Sequence, residues 1–322
     1  MTTLRGSVSV FFVLAATLAW TGPESVDGAP SSERTALSSD STITVSGFLP
    51  PIPGPLPFFY DLFTFRTDGG GTTVIAAIAV PVGKLRRERN DGRVRYQFDV
   101  RLVLADTARH SVVHSVDSAF VNVERPLSGQ HLLHTYIEIQ APPSPSSLQR
   151  VIVTDAARPG VGQLYNEPFP IPDYSGPELM LSDIAFGLPD ATDGWARRGN
   201  MLALLPTSQF PESSFDVYYE IYNLPKGTPY ETEILIEPLD DSGDGEGSVR
   251  AFFSGESEAR EDDSVAELRR VDSALPKGPY RFTVTVRNMA DGTSTSSSRA
   301  VEVRGWRGGT TMVPAMPRGL GQ

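Results

Sequence analysis

"YQFDVRLVLAD", residues 96–106, alternates apolar and polar side chains. Tyr96, Phe98, Val100, Leu102 and Leu104 fall on one face, with Gln97, Asp99 and Arg101 on the other. A period of two with one apolar face is what a half-buried antiparallel strand requires. "YRFTVTVRN" (280–288) repeats the design, with Tyr280, Phe282, Val284 and Val286 facing inward. "VIAAIAV" (74–80) is apolar on both faces, which predicts a strand covered on each side. Turn chemistry separates these runs: "DGGG" at 68–71, "NDG" at 90–92, "DDSGDGEG" at 240–247 and "ADG" at 290–292. Helical spacing is scarce, and "DSVAELRRV" (263–271) is its best candidate.

A second pattern occurs twice. "FFYDLFTF" (58–65) and "DVYYEIYNL" (216–224) both read aromatic, acid, aliphatic, aromatic. Further correspondences follow in order: Ala79–Pro81 with Ile236–Pro238, then Leu133, Thr135 and Ile137 with Phe282, Val284 and Val286, then Val151 and Val153 with Val301 and Val303. Their offset is about 150 residues. The expectation is an all-β chain of two tandem immunoglobulin-like antiparallel β-sandwiches. In 215–221 the inward set is Phe215, Val217, Tyr219 and Ile221. The opposite set, Tyr218, Glu220 and Tyr222, is mirrored by Phe59, Asp61 and Phe63. This second aromatic face needs a cover: the same chain, a partner, or a sugar stacked on Tyr218 and Tyr222. Phe59, Phe63, Tyr218 and Tyr222 are therefore the candidate interaction residues.

Composition bounds the function. The 322 residues carry a formal charge of −11, which argues against nucleic acid or an anionic bilayer as the main partner. "KLRRER" (84–89) is the densest basic run and falls in a predicted loop. Cysteine is absent, so disulfides, thiolate metal sites and cysteine nucleophiles are excluded. "MTTLR" followed by the apolar "SVSVFFVLAATLAW" (7–20) reads as a secretory signal peptide within residues 1–29. No later stretch is long and apolar enough to predict a transmembrane segment. The expected organisation is a Ser/Pro-rich leader at 30–55, a first sandwich at 56–158, a Pro-rich linker at 159–177, a second sandwich at 178–305 and a flexible tail at 306–322.

The stretch "LMLSDIAFG…FDVYYEIYNLPKGTPYETEILIEPL" (179–239) resembles the C-terminal portion of bacterial GWxTD domain-containing proteins. Leu181-Ser182-Asp183 and Tyr218–Leu224 are its most specific words, and the resemblance covers roughly residues 56–305. The motif that names the family is missing, and "GWARR" (194–198) shares only Gly194-Trp195 with it. The resemblance implies a tandem sandwich and an exported bacterial protein of the periplasm, cell surface or medium. It carries over no catalytic or binding residue.

Chemistry is sparse in the sequence. His110 and His114 would share a strand face but sit roughly 13 Å apart, too far for one metal. His131 and His134 would point to opposite faces. The acidic hairpin supplies Asp240, Asp241, Asp244 and Glu246 as weak calcium candidates, without EF-hand spacing. No nucleophile motif or phosphate loop is present. The expectation is a protein without catalytic residues or cofactors, acting on an envelope protein partner. The alternatives are a carbohydrate-binding module and a calcium-stabilised adhesion protein.

Overall fold

The computed structural model describes residues 55–69, 71–129, 131–207, 214–239, 248–259, 263–272 and 275–303, with the backbone of 312–314 and 316–317. The signal-peptide expectation and nearly all of the leader lie outside the described residues. Everything that follows belongs to one compact unit within 50–322.

The first half contains β1 (Phe59–Arg66), β2 (Thr72–Pro81), β3 (Glu88–Asn90), β4 (Arg93–Asp106), β5 (Ser111–Val123), β6 (Leu132–Ala141), β7 (Ser147–Asp155) and β8 (Gly162–Pro168). β1-β2-β6 form one sheet and β5-β4-β7-β8 the other. Between them lies a core that includes Leu62, Val74, Ile78, Phe98, Leu102, Ile137 and Val151. The alternation at 96–104 is realised, with Tyr96, Phe98, Val100, Leu102 and Leu104 all buried. Each such burial contributes about 1.5–3 kcal/mol.

The second half contains β9 (Met180–Leu181), β10 (Ala185–Leu188), β11 (Trp195–Arg197), β12 (Asn200–Leu204), β13 (Phe215–Tyr222), β14 (Pro229–Pro238), β15 (Val249–Glu256), β16 (Ser264–Val271), β17 (Gly278–Asn288) and β18 (Ser294–Val303). Here β10-β13-β16 form one sheet and β15-β14-β17-β18 the other. The β11–β12 hairpin extends the first of these beyond β10, and β9 pairs with β13. The two halves are thus like-connected, strand for strand. They are tandem antiparallel sandwiches of the immunoglobulin-like class.

The structure corrects the register of the repeat. β1 corresponds to β10, β2 to β13, β4 to β14, β6 to β16 and β7 to β17 by sheet order. The sequence correspondences match β1 with β13, β2 with β14, β6 with β17 and β7 with β18, one strand late throughout. Alternation looks the same in any strand. The true counterpart of β1 is the four-residue β10, too short to anchor an alignment. The same slip misassigns residues 162–168 to a linker: they are β8, paired with β7 along its length. The segment 263–271 is no helix, because Ser264–Val271 is β16, aligned residue for residue with β13. Within the expected tail, backbone at Met312–Pro314 forms β19, parallel to β6, and Met316–Pro317 forms β20 on β5.

Candidate functional site

β13 is buried along its entire length, and β2 along all but Pro81. Each lies at the centre of a sheet with one face toward its own core. The other faces meet. Phe63, Phe65, Ile75 and Ala77 of the first sandwich pack on Ala185, Trp195, Leu202, Leu204 and Tyr218 of the second. The rings of Phe65, Trp195 and Tyr218 form a cluster with centroids 5.1–5.7 Å apart. Ala79, Leu132 and Leu205 continue the contact, with half-buried Phe59 against them.

The predicted interaction residues are therefore gathered in one place and are not free. Phe63, Tyr218 and Tyr222 have no exposed surface. The cover they need is the other sandwich. This removes the sugar platform, because no ring face of Tyr218 or Tyr222 is open. It also explains why β1 and β13 look alike without being equivalent strands: each turns its aromatic, acid-bearing face into the same junction.

At the centre of the junction stands Glu220, fully buried. Arg197 Nε donates to its Oε1 at 2.5 Å and Arg197 Nη2 to its Oε2 at 3.1 Å. Arg198 Nε lies 3.2 Å from Oε2. The hydroxyls of Tyr218 and Tyr222 donate to the same carboxylate at 2.6 and 2.9 Å. Burial alone would push the Glu220 carboxyl up. The bonds and charge of Arg197, the Tyr218 hydroxyl and the charge of Arg198 outweigh burial and hold it below its usual value. Both tyrosines are pushed well up, first by burial and then by the carboxylate.

The same group ties the halves together. Arg197 Nη2 donates to the Arg66 carbonyl at 2.7 Å, and the Arg66 amide donates to Tyr222 Oη at 2.8 Å. Asp183 accepts from the Thr64 amide at 2.8 Å and the Thr64 hydroxyl at 2.7 Å, and its own amide donates to the Thr64 carbonyl. Arg299 reaches from β18 to Asp61 and to the Leu62 carbonyl. Trp195 Nε1 donates to Glu138 on β6 at 3.2 Å.

The words of the family resemblance meet here. The Ser182 amide donates to the Glu220 carbonyl at 2.9 Å, and the Glu220 amide donates to Ser182 Oγ at 2.8 Å. "GWARR" supplies Trp195, Arg197 and Arg198 from the β11–β12 hairpin. Gly194, at φ 145°, is pressed against that hairpin, where an added Cβ would meet Leu202 O at 2.2 Å. Sequence reading missed the Arg197–Arg198–Glu220 group. Its signal was an acid between Tyr218 and Tyr222 on a strand with both faces aromatic, which can be buried only if paired.

The histidines do not assemble. His110 sits in the β4–β5 turn and His114 is exposed on β5. His134 is buried on the junction side of β6, and burial lowers its pKa to about 4. Asp240, Asp241, Asp244 and Glu246 lie outside the described residues. Among the described residues, no three His, Asp or Glu side chains gather as a metal site, and no helix is long and apolar enough to cross a membrane.

No known protein family and no curated protein matches the chain. Among solved structures it is similar to red sea bream transglutaminase, at 12% identity and a TM-score of 0.21, over 76% of this chain and 31% of that one. A β-glucuronidase of Bacteroides uniformis gives 11% identity and a TM-score of 0.25, over 73% of this chain and 26% of that one. The chain thus spans less than a third of either protein, at a likeness that bears on no activity.

Proposed function

We propose that the protein is an exported, non-catalytic interaction module of a bacterial cell envelope. In this reading it is a relative of GWxTD domain-containing proteins reduced to their paired sandwiches. The polar chemistry that the resemblance singles out, Ser182, Asp183, Glu220 and Tyr222, is committed to fixing one sandwich on the other. What remains for recognition is the outside of a rigid pair.

One observation carries the choice of surface. The most exposed large apolar side chains among the described residues, Val112 (61%), Phe252 (56%) and Val116 (54%), all lie on β5 and β15, equivalent strands of the two outer sheets. β5 already takes an added strand, β20, at Phe120 and Ala119. β15 pairs only with β14 among the described residues. An open edge with apolar side chains accepts an extended segment of another protein by strand addition.

The test is capture from an envelope extract with wild-type protein and Phe252→Glu, followed by hydrogen exchange on the complex. The reading expects a captured protein that is lost in the variant, with new protection on Val249–Glu256. Recovery of the free monomer alone, or capture indifferent to the substitution, counts against it.

A further inference from the structure

The basic run singled out in the sequence is not absorbed by this reading. Residues 86–90 turn into β3, which pairs with β4 through Glu88↔Arg95 and Asn90↔Arg93. Asp91 and Gly92, both with positive φ, close this hairpin. Beside it lies an open cleft of about 630 Å³, lined by Arg86, Arg87, Glu88, Arg89, Asn90, Arg95 and Ala157.

Four arginines and one glutamate thus line one cleft, in a chain whose net charge is −11. Among the described residues no carboxylate pairs with Arg86, Arg87, Arg89 or Arg95. Arg95 is also held in place, its guanidinium stacked over the Phe120 ring at 4.4 Å. The floor is fixed by buried Asp155, which accepts from the Arg86 amide at 2.9 Å and the Ala157 amide at 3.0 Å and pairs with Arg158 at 2.7 Å. Arg158 in turn donates to the Lys84 carbonyl. The backbone beside the cleft is therefore tied down.

Like charges along one cleft repel one another, and an anion placed among them relieves that repulsion. Guanidinium forks match the paired oxygens of phosphate and sulfate better than a point charge does. We infer that this arginine cleft is a binding site for a ligand carrying two or more adjacent oxyanion groups of the phosphate or sulfate type. Nothing in this inference depends on the strand-edge reading above, since β15 belongs to the other sandwich.

The experiment is titration calorimetry of the whole protein with inorganic pyrophosphate. A parallel arm uses flotation on phosphatidylcholine vesicles with and without phosphatidylglycerol. Saturable pyrophosphate binding identifies a free ligand, and binding confined to the phosphatidylglycerol vesicles identifies a headgroup. In whichever arm responds, Arg87→Ala with Arg89→Ala lowers affinity at least about tenfold, and Glu88→Gln raises it. These side chains are exposed, so folding is not at stake. The control is Arg281→Ala with Arg287→Ala on the exposed face of β17, which leaves binding unchanged. No saturable binding in either arm, or an equal loss in the control pair, overturns the inference.

Discussion

The inner sheets and the outer sheets of this molecule solve different problems. β4 and β17, central in the outer sheets, alternate between buried and wet positions along nearly their whole length. β2 and β13, central in the inner sheets, are covered on both faces. On that second face β2 carries small and apolar groups, Ile75, Ala77 and Ala79. The second sandwich answers with large or charged ones, Trp195, Tyr218, Glu220 and Tyr222. The junction is thus a third core, built around the fully buried carboxylate of Glu220. An apolar core tolerates imperfect fit, whereas a buried charge demands its partners.

The sharpest way to break the comparison is Glu220→Ala. Arg197 would then stay buried without its counter-charge, while Arg198 would keep Asp68 at 3.1 Å, and stability falls by about 3–5 kcal/mol. Urea unfolding should change from one transition to two, as the sandwiches lose their coupling. Replacing Arg197, Arg198 and Glu220 together by apolar residues recovers most of the loss. Arg281→Ala on the outer face of β17 stays within about 0.5 kcal/mol.

Acid probes the same contrast. His134 faces the junction with its pKa lowered to about 4, below the usual 6.5. Between those values the unfolded chain binds the proton and the folded one does not, so stability falls as pH drops from 6.5 toward 4. The full penalty is about 3 kcal/mol, and His134→Gln removes it from the pH profile of urea midpoints. Glu220 adds a second loss lower down, as pH falls through its depressed pKa.

How much of this was legible in the sequence follows from the same difference. Alternation at 96–104 and 280–286 gave the outer strands, because water on one face writes a polar residue at every second position. The double burial of 74–80 and the second aromatic face of 215–222 were also readable, and together they were the true mark of the repeat, since β2 and β13 are equivalent strands. The aromatic-acid likeness of β1 and β13 obscured it, because shared surroundings at the junction imitate shared ancestry of position. The arginine pair could not be read. Residues 197 and 198 meet Glu220 only after the β11–β12 hairpin folds over the sheet, and nothing local in "GWARR" states that. The strand β16 read as helical because Glu267, Arg269 and Arg270 break its alternation. Glu267 is largely buried and pairs with Arg269, an ion pair that substitutes for an apolar residue.

Hydroxyls give a smaller contrast. Tyr218 donates to a buried carboxylate, while Tyr96 in the first core accepts from the Leu127 amide at 3.2 Å. A hydrogen bond to a charged group is worth more than a neutral one. Tyr218→Phe should cost about 1.5–3 kcal/mol and Tyr96→Phe about 0.5–1.5 kcal/mol by the same urea measurement. Equal costs would mean that Arg197 and Arg198 satisfy Glu220 unaided.

The smallest effect separates two ion pairs at the margins. Arg250 on β15 meets Glu233 with 58% of its side chain exposed, whereas the Arg299 side chain is 18% exposed. Arg299 also lies 4.4 Å over the Phe63 ring and bridges from β18 across to β1. Water and salt screen the first pair, so Arg250→Ala changes stability by less than about 0.5 kcal/mol and by less still at high salt. Arg299→Ala loses packing as well as charge, about 1 kcal/mol. That loss should persist when salt is raised, because the Phe63 ring and the Leu62 carbonyl shield what Arg299 touches. If high salt erased it, the bridge from β18 would belong with the outer surface and not with the junction.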